Sequence, residues 1–150
     1  MLNSIAKTYR DELLLLARLS FMILFLIAGW EHATNFSGTV AYFTKIGVPM
    51  PMIATIVSIL VEIPIAFAVI SGWYTRPSLI LLIMYTLGTA YFGHQFWEAP
   101  SATRTNIVYH FYKNISICAG FLALFLTGPG RYSVDAARER RSNGALAAGD

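Results

Sequence analysis

The chain has 150 residues, of which 56 % are hydrophobic and only 13 % are charged, and its mean hydropathy is +0.57. A soluble domain carries about a quarter charged residues, so this composition excludes a cytosolic or secreted enzyme and a large extramembrane domain. Four apolar stretches, 13–33, 51–73, 79–97 and 107–127, form more than half of the chain. Each is long enough to cross a hydrocarbon layer as a helix of about 20 residues. The sequence therefore predicts an all-α, integral membrane four-helix bundle, with residues 1–150 as a single membrane domain.

Charge and cysteine content exclude further classes. The net charge is +3, but the basic residues do not form a patch that could follow phosphates, so nucleic acid is not an expected partner. The single Cys118 excludes a disulfide within the chain and a paired-thiol relay. Lys7 and Arg10 precede the first apolar stretch as in a signal peptide. That stretch exceeds the usual 7–15 apolar residues, so we expect it to be retained as the first span.

The distribution of lysine and arginine predicts the orientation. Four spans place both termini on the same side as the short loop around Arg76, and most of the basic residues lie there. The opposite loops carry Lys45 and Arg104. Short cytoplasmic loops are enriched in basic residues, so we expect a multi-pass protein of the cytoplasmic (inner) membrane with cytoplasmic N- and C-termini. The bilayer is then one partner, and the basic tail, residues 131–150, faces anionic lipid.

The loop between the first two spans contains apolar residues at helical spacing. They are Phe36, Val40, Phe43 and Ile46. Asn35 or Ser37 can cap such a helix, and Gly47 can end it. The pattern predicts a short interfacial helix, which either lies on the outer membrane surface or packs on the ends of the spans.

The segment after the fourth span predicts a second short helix. Gly128 and Gly130 flank a proline and stop the preceding span, and Ser133 can cap a helix that continues to about Arg141. Residues 142–150 are small and polar, so we expect them to be disordered.

Each predicted span has a stripe of residues three or four positions apart that includes polar side chains, and this spacing places the stripe on one face of a helix. The stripes are Arg18, Met22, Phe25, Gly29 and His32 in the first span; Thr55, Ser58, Glu62, Ala66 and Val69 in the second; Leu87, Tyr91 and His94 in the third; and His110, Lys113, Asn114, Ile117 and Phe121 in the fourth. Four such stripes predict a bundle with a polar interior.

Depth along the helices predicts which of these residues meet. At 1.5 Å per residue, Glu62 lies about 16 Å below the outer face, and His94 lies about 5 Å below it. Side chains lean toward the N-terminus of their own helix, so these two side chains converge, together with those of His110, Lys113 and Asn114. His32 lies at the rim. Arg18 lies nearer the cytoplasm and leans away, which favours snorkelling to the headgroups over a role in the site.

The predicted cluster has two interpretations. A buried carboxylate near a lysine and imidazoles can transfer protons, or can hydrogen-bond the oxygens of a quinone-like ring. Alternatively, the same groups form a network that only fixes the register of the helices.

No metal site is expected. His94 and Glu98 have i, i+4 spacing, but the chain lacks an HExxH motif, a paired ExxH motif and a cysteine cluster.

Pro64 lies two residues after Glu62 and frees the carbonyl of Leu60 from its helical hydrogen bond. The sequence therefore predicts a kink beside the deep carboxylate.

Short motifs in a fixed order recur along residues 13–136. They are Arg18, Phe25 and Ala28-Gly29; Ile46-Gly47-Val48-Pro49; Glu62; Ser71-Gly72 with Thr75-Arg76; His94; Lys113-Asn114; and residues 128–135. With these motifs the chain resembles the DoxX family of small four-span bacterial membrane proteins. The resemblance implies association with membrane oxidoreductase assemblies, since family relatives include parts of quinol-oxidase and thiosulfate:quinone oxidoreductase systems. More distant relatives are similar to cargo receptors and assembly chaperones.

The resemblance and the polar cluster lead to one hypothesis: a small subunit of a quinone-linked membrane redox system. Glu62 would accept protons, His94 and Lys113 would act on a quinone oxygen, and Asn114 would donate a hydrogen bond. Further candidate ligand-binding residues are Arg18, His110 and His32. A quinone, a redox partner protein and a second copy of the chain are the candidate partners besides lipid, and whether the chain is an enzyme stays open.

Two alternatives remain beside this hypothesis. One is a non-catalytic membrane scaffold or assembly factor for another protein, in which the polar cluster only locks the helices. The other is a transporter of protons or small solutes, which the lack of an internal repeat disfavours.

Overall fold

The computed structural model describes residues 2–147, with side chains described except at residue 3 and residues 144–147. Within this range the chain is helical and no strand forms. The elements are α1 (Leu2–Thr8), α2 (Arg10–Thr34), α3 (Phe36–Lys45), α4 (Pro51–Leu60), a π-helical segment (Val61–Ile65), α5 (Ala66–Ser71), α6 (Thr75–Gly93), α7 (Ser101–Thr127) and α8 (Val134–Ala147). The predicted all-α membrane helical bundle is confirmed.

Three helical stretches in the described residues are long and apolar enough to cross a membrane: Arg10–Thr34, Pro51–Ser71 and Ser101–Thr127. Helix α6 has 19 residues and packs mainly against α7, while α2 packs against α4, the π segment and α5. The predicted third span, 79–97, is displaced, because α6 begins at Thr75 and ends at Gly93. His94 therefore lies beyond the helix. That α6 forms a fourth crossing stays a prediction.

The buried faces of the helices largely follow the predicted stripes. In α2 the buried residues are Arg18, Met22, Phe25 and Gly29. In the second span they include Thr55, Ser58, Glu62, Ala66 and Val69. In α7, Asn114 and Phe121 are buried as predicted. These side chains meet in a core around Met22, Phe25, Leu82 and Phe121.

The predicted stripe of the third span is wrong. Leu87 and Tyr91 are 44 % and 57 % exposed, and the buried face of α6 instead includes Leu82, Thr86 and Ala90. The phase of the predicted stripe was set by His94. Because α6 ends at Gly93, helical spacing does not carry from Tyr91 to that residue.

Helix α3 forms as predicted and packs against α4 and α2. Its buried residues are Thr39 and Phe43, so the helix covers the ends of the spans with its apolar face. Gly47 follows with φ +76°, a left-handed conformation that glycine adopts without strain. The predicted side-chain caps are wrong: Asn35 occupies the N-cap, and in the described structure its side chain makes no capping hydrogen bond.

Pro64 produces a π-helical segment rather than a simple kink. Proline has no amide hydrogen and cannot donate to the carbonyl of Leu60, and the segment Val61–Ile65 has π-helical hydrogen bonding. Helix α2 approaches this segment closely at Gly29. A Cβ atom at that glycine would lie 2.7 Å from Ile63 Cγ1 and 2.8 Å from Glu62 Cβ.

The segment that follows α7, residues 128–135, contacts the start of α6 and the start of α2. These contacts lie at one end of the bundle, here called the terminal end. The carboxylate of Asp135 accepts hydrogen bonds from the backbone N–H groups of Tyr74 and Thr75 and from Thr75 Oγ1, each at 2.9 Å. Asp11 Oδ1 accepts a hydrogen bond from the N–H of Arg131 at 3.0 Å. The segment therefore caps α6 and binds the start of α2.

The helix predicted after Ser133 forms, and its cap is confirmed: the N–H of Ala136 donates to Ser133 Oγ at 3.2 Å. Helix α8 continues to Ala147, so the predicted disorder is wrong for residues 142–147. Residues 148–150 lie outside the described residues. Helix α8 carries a row of exposed basic side chains, including Arg138, Arg140 and Arg141.

Arg18 neither snorkels nor reaches the polar cluster. Its side chain is fully buried (0 % exposed) at the terminal end. Nη1 donates to the carbonyl of Ile70 at 3.0 Å, and Nη2 donates to the carbonyl of Tyr132. The guanidinium thus satisfies backbone acceptors at the end of α5 and in the segment after α7, which is a structural role.

We expect Arg18→Met to lower the stability of the protein strongly. The substitution leaves buried carbonyl oxygens without a donor, and each such group costs roughly 1–3 kcal/mol. Arg18→Lys should give an intermediate loss, since one ammonium group cannot reach all of these carbonyls. The measurement is the Tm in detergent micelles, with Arg140→Met, an exposed arginine of α8, as the control. An unchanged Tm of Arg18→Met would contradict this role.

Candidate functional site

A cavity of about 430 Å³ lies between α2, α3, α4, the π segment, α6 and α7. Its walls are mostly apolar. The polar side chains that line it are His32, Tyr42, Ser58, Glu62, Tyr85, Thr86, Thr89, His94, Lys113 and Asn114. Small-molecule sites typically have volumes of about 300–1,000 Å³, apolar walls and a few convergent polar groups. The cavity has all three properties.

Glu62 is the acidic residue among those that line the cavity, and 4 % of its surface is exposed. Its carboxylate is held on both sides. His32 Nδ1 of α2 lies 2.6 Å from Oε2, and the hydroxyl of Tyr85 of α6 donates to Oε1 at 2.7 Å. Three helical elements therefore meet at one carboxylate, and the imidazole partner offsets the cost of its burial.

A second group of polar side chains lies in the first half of α7 and just beyond the end of α6. The rings of His94 and His110 are stacked, with centroids 5.2 Å apart and planes 20° from parallel. Lys113 Nζ lies 3.5 Å from His110 Nδ1. Asn114 is buried on the same helix. This group adds nitrogen donors to a cavity whose deep acceptor is Glu62.

The structure brings together most of the residues that the sequence singled out. His32, Glu62, His94, Lys113 and Asn114 all line the cavity. His110 stacks on His94 without being one of the lining residues. Arg18 lies apart from the cavity, at the terminal end. His32, which the sequence predicts at the rim, contacts the carboxylate of Glu62 directly.

Sequence reasoning missed three polar residues of α6, Tyr85, Thr86 and Thr89, that line the cavity. Tyrosines near span ends are usually interfacial anchors, but Tyr85 lies in the middle of its helix. This position was the signal that could have found it, because a tyrosine hydroxyl buried within a span usually needs a hydrogen-bond partner.

The described residues contain no group of three His, Cys, Asp or Glu side chains placed to hold a metal ion. The i, i+4 spacing of His94 and Glu98 does not bring their side chains onto one helical face, because α6 ends at Gly93.

Two glycines of the bundle differ in what surrounds them. At Gly29 a Cβ atom would collide with the π segment. At Gly88, in the middle of α6 and on the cavity wall, a Cβ atom would meet no described atom of neighbouring elements within 4 Å. Glycine inside a helix costs about 0.5–1 kcal/mol relative to alanine. Close packing explains why residue 29 is glycine, but no packing contact explains why residue 88 is glycine.

Matched alanine substitutions should have opposite effects. Gly29→Ala forces α2 away from Glu62 and should destabilise the protein by roughly 1–3 kcal/mol, as overpacked cores do. Gly88→Ala has free space and should stabilise it by up to about 1 kcal/mol. The check is the Tm of both variants in the same detergent. Equal shifts of the same sign would contradict the close approach of α2 to the π segment.

Comparison with known proteins agrees with this architecture. A family model described as DoxX matches residues 13–95. The inner membrane protein YphA of Escherichia coli (strain K12) is 43 % identical over 127 residues, which cover 84 % of this chain and 90 % of that protein. The inner membrane protein YqjF of the same organism is 37 % identical over 130 residues, covering 86 % and 94 %. No solved structure matches. The chain belongs to the DoxX family, as its motifs predicted.

Proposed function

We propose that the chain is an inner-membrane protein that binds a quinone-type ligand beside Glu62 and serves as a small subunit of a quinone-linked membrane redox system. The observation that carries the proposal is a buried carboxylate, held by His32 and Tyr85, in the wall of an apolar cavity that also receives Lys113 and Asn114. The two inner membrane relatives support the location.

The chemistry of the cavity fits a quinone ring. Such a ring is apolar on its faces and accepts hydrogen bonds at two carbonyl oxygens. The cavity offers apolar walls together with an ammonium donor at Lys113 and an amide donor at Asn114. Its volume of about 430 Å³ lies within the usual range for small-ligand sites. A bound quinone would supply the electron-transfer chemistry.

Glu62 and His32 suit the handling of protons that accompanies quinone chemistry. The imidazole lies 2.6 Å from the carboxylate, and its side chain is 22 % exposed, whereas that of Glu62 is 6 % exposed. His32 can therefore exchange a proton with solvent and pass it to the buried carboxylate. The electrons would pass between the quinone and a redox partner protein.

The predicted orientation places this proton path on the outer side. Arg18 and the segment after α7 lie at the terminal end, and the distribution of basic residues supports a cytoplasmic position for that end. The cavity, at the opposite ends of α2 and α6, then faces the periplasmic half of the membrane.

One observation favours a second candidate, a non-catalytic scaffold for a partner protein. Both oxygens of Glu62 already have partners within the chain, on α2 and α6. These contacts join three helical elements without any ligand. In a scaffold their role would be to fix the relative position of the helices.

Isosteric substitutions separate the two candidates. We expect Glu62→Gln and Lys113→Met each to weaken binding of a short-chain benzoquinone by at least tenfold, with the Tm within a few degrees of the unmodified protein. Binding is measured in detergent micelles by quenching of tryptophan fluorescence. Glu98→Gln and Lys45→Met, which remove charges from exposed residues outside the cavity lining, are the matched controls and should bind normally.

The opposite pattern supports the scaffold: no quinone binding by the unmodified protein and a clear loss of Tm in Glu62→Gln. Mass spectrometry of the protein purified from native membranes adds an independent check. A co-purifying quinone that is lost in Lys113→Met supports the ligand site. Its absence from the unmodified protein, together with a co-purifying protein that is lost in Glu62→Gln, supports the scaffold.

A further inference from the structure

The face of α6 that lines the cavity leaves main chain uncovered. Gly88 and Gly93 both line the cavity, and a Cβ atom at either would meet no described atom of neighbouring elements within 4 Å. Neither glycine has a positive φ, so neither is required by the backbone conformation. Close helix packing and turn geometry, the two usual reasons for glycine, are therefore both missing at these positions.

The same face contains a buried hydroxyl group without a partner. Thr86 is 2 % exposed, and among the described residues its Oγ1 has no hydrogen-bond partner. Other threonines in the helices satisfy their hydroxyls locally. Thr55 donates to the carbonyl of Pro51 at 2.8 Å, and Thr89 donates to the carbonyl of Thr86 at 3.0 Å. Leaving such a group unpaired is unfavourable in a membrane interior.

A bound ligand explains both features. Bare backbone at Gly88 gives a flat ring close access to the helix, which a side chain would prevent. Thr86 lines the cavity, and threonine in a helix occupies two rotamers. A ligand in the cavity can therefore supply the hydrogen-bond acceptor that the described residues do not provide.

We infer that a planar ring lies against the exposed main chain of α6 at Gly88 and that the Thr86 hydroxyl donates a hydrogen bond to one of its carbonyl oxygens. This inference rests on the proposed quinone-type ligand and deepens it. It assigns recognition of the ring to α6, whereas Glu62 and Lys113 handle protons and charge. Ligands without a carbonyl acceptor, such as a simple alkylbenzene, should then bind at least tenfold more weakly than the matching benzoquinone.

Filling the space at Gly88 tests the position of the ring. Gly88→Leu should reduce binding of the short-chain benzoquinone by more than tenfold while the Tm is unchanged or higher, because a Cβ atom at this position has free space and the rest of the side chain extends into the cavity. The matched control is Leu87→Phe, which adds volume to the exposed face of the same helix, outside the cavity lining, and should bind normally. Full binding by Gly88→Leu would overturn the assigned position.

Removal of the hydroxyl tests the hydrogen bond. Thr86→Val has almost the same shape and should weaken benzoquinone binding about tenfold without lowering the Tm, while Thr86→Ser should retain most of the affinity. Thr55→Val is the control, because that buried hydroxyl donates to its own helix and does not line the cavity. Equal affinities for Thr86→Val and the unmodified protein would exclude the hydrogen bond.

These outcomes are distinct from failure of the proposed function. Absence of benzoquinone binding by the unmodified protein would remove both the proposed function and this inference. Normal binding by the unmodified protein and by both Gly88→Leu and Thr86→Val, combined with loss in Lys113→Met, would preserve the proposed function and reject the role of α6.

Discussion

The missing amide hydrogen of Pro64 determines the geometry on which the cavity depends. Without that donor the helix adopts a π-helical segment over Val61–Ile65, and Glu62 lies within the altered turn. Such segments are rare and frequently occur at functional sites. Helix α2 can approach this turn only because residue 29 is glycine. The close approach places His32, one helical turn further along α2, within hydrogen-bond distance of the carboxylate.

Each end of the bundle buries one charged side chain, Arg18 or Glu62, and different kinds of partner stabilise the two. At the terminal end, main-chain carbonyl groups stabilise the Arg18 guanidinium through Nη1 and Nη2, and its Nε has no partner among the described residues. At the cavity end, Glu62 is held by titratable or hydroxyl side chains, which can exchange protons. An apolar layer that includes Leu82 and Phe121 separates the two. This difference explains why one buried ion is a structural element and the other is a candidate for chemistry.

Sequence patterns predicted the fold and much of the cavity wherever polar residues lie inside a regular helix. The stripes from Arg18 to Gly29 and from Thr55 to Val69 have helical spacing, and their buried faces were predicted correctly. The buried stripe predicted for the third span was wrong because its phase depended on His94, which lies beyond the end of α6. The role of Arg18 could not be predicted, since its acceptor at Tyr132 comes from a tertiary contact across the whole chain. The unpaired hydroxyl of Thr86 also could not be predicted from the sequence, because it is recognised only when the neighbouring atoms are known.

The contact between Arg18 and Tyr132 joins two residues that are 114 positions apart in the sequence. Translation proceeds from the N-terminus, so the ribosome makes helix α2 well before residues 128–135. Until Tyr132 is available, the Arg18 guanidinium lacks one of its backbone acceptors, and the terminal end of the bundle is incomplete. The packing of α2 therefore depends on a segment that is added only after α7.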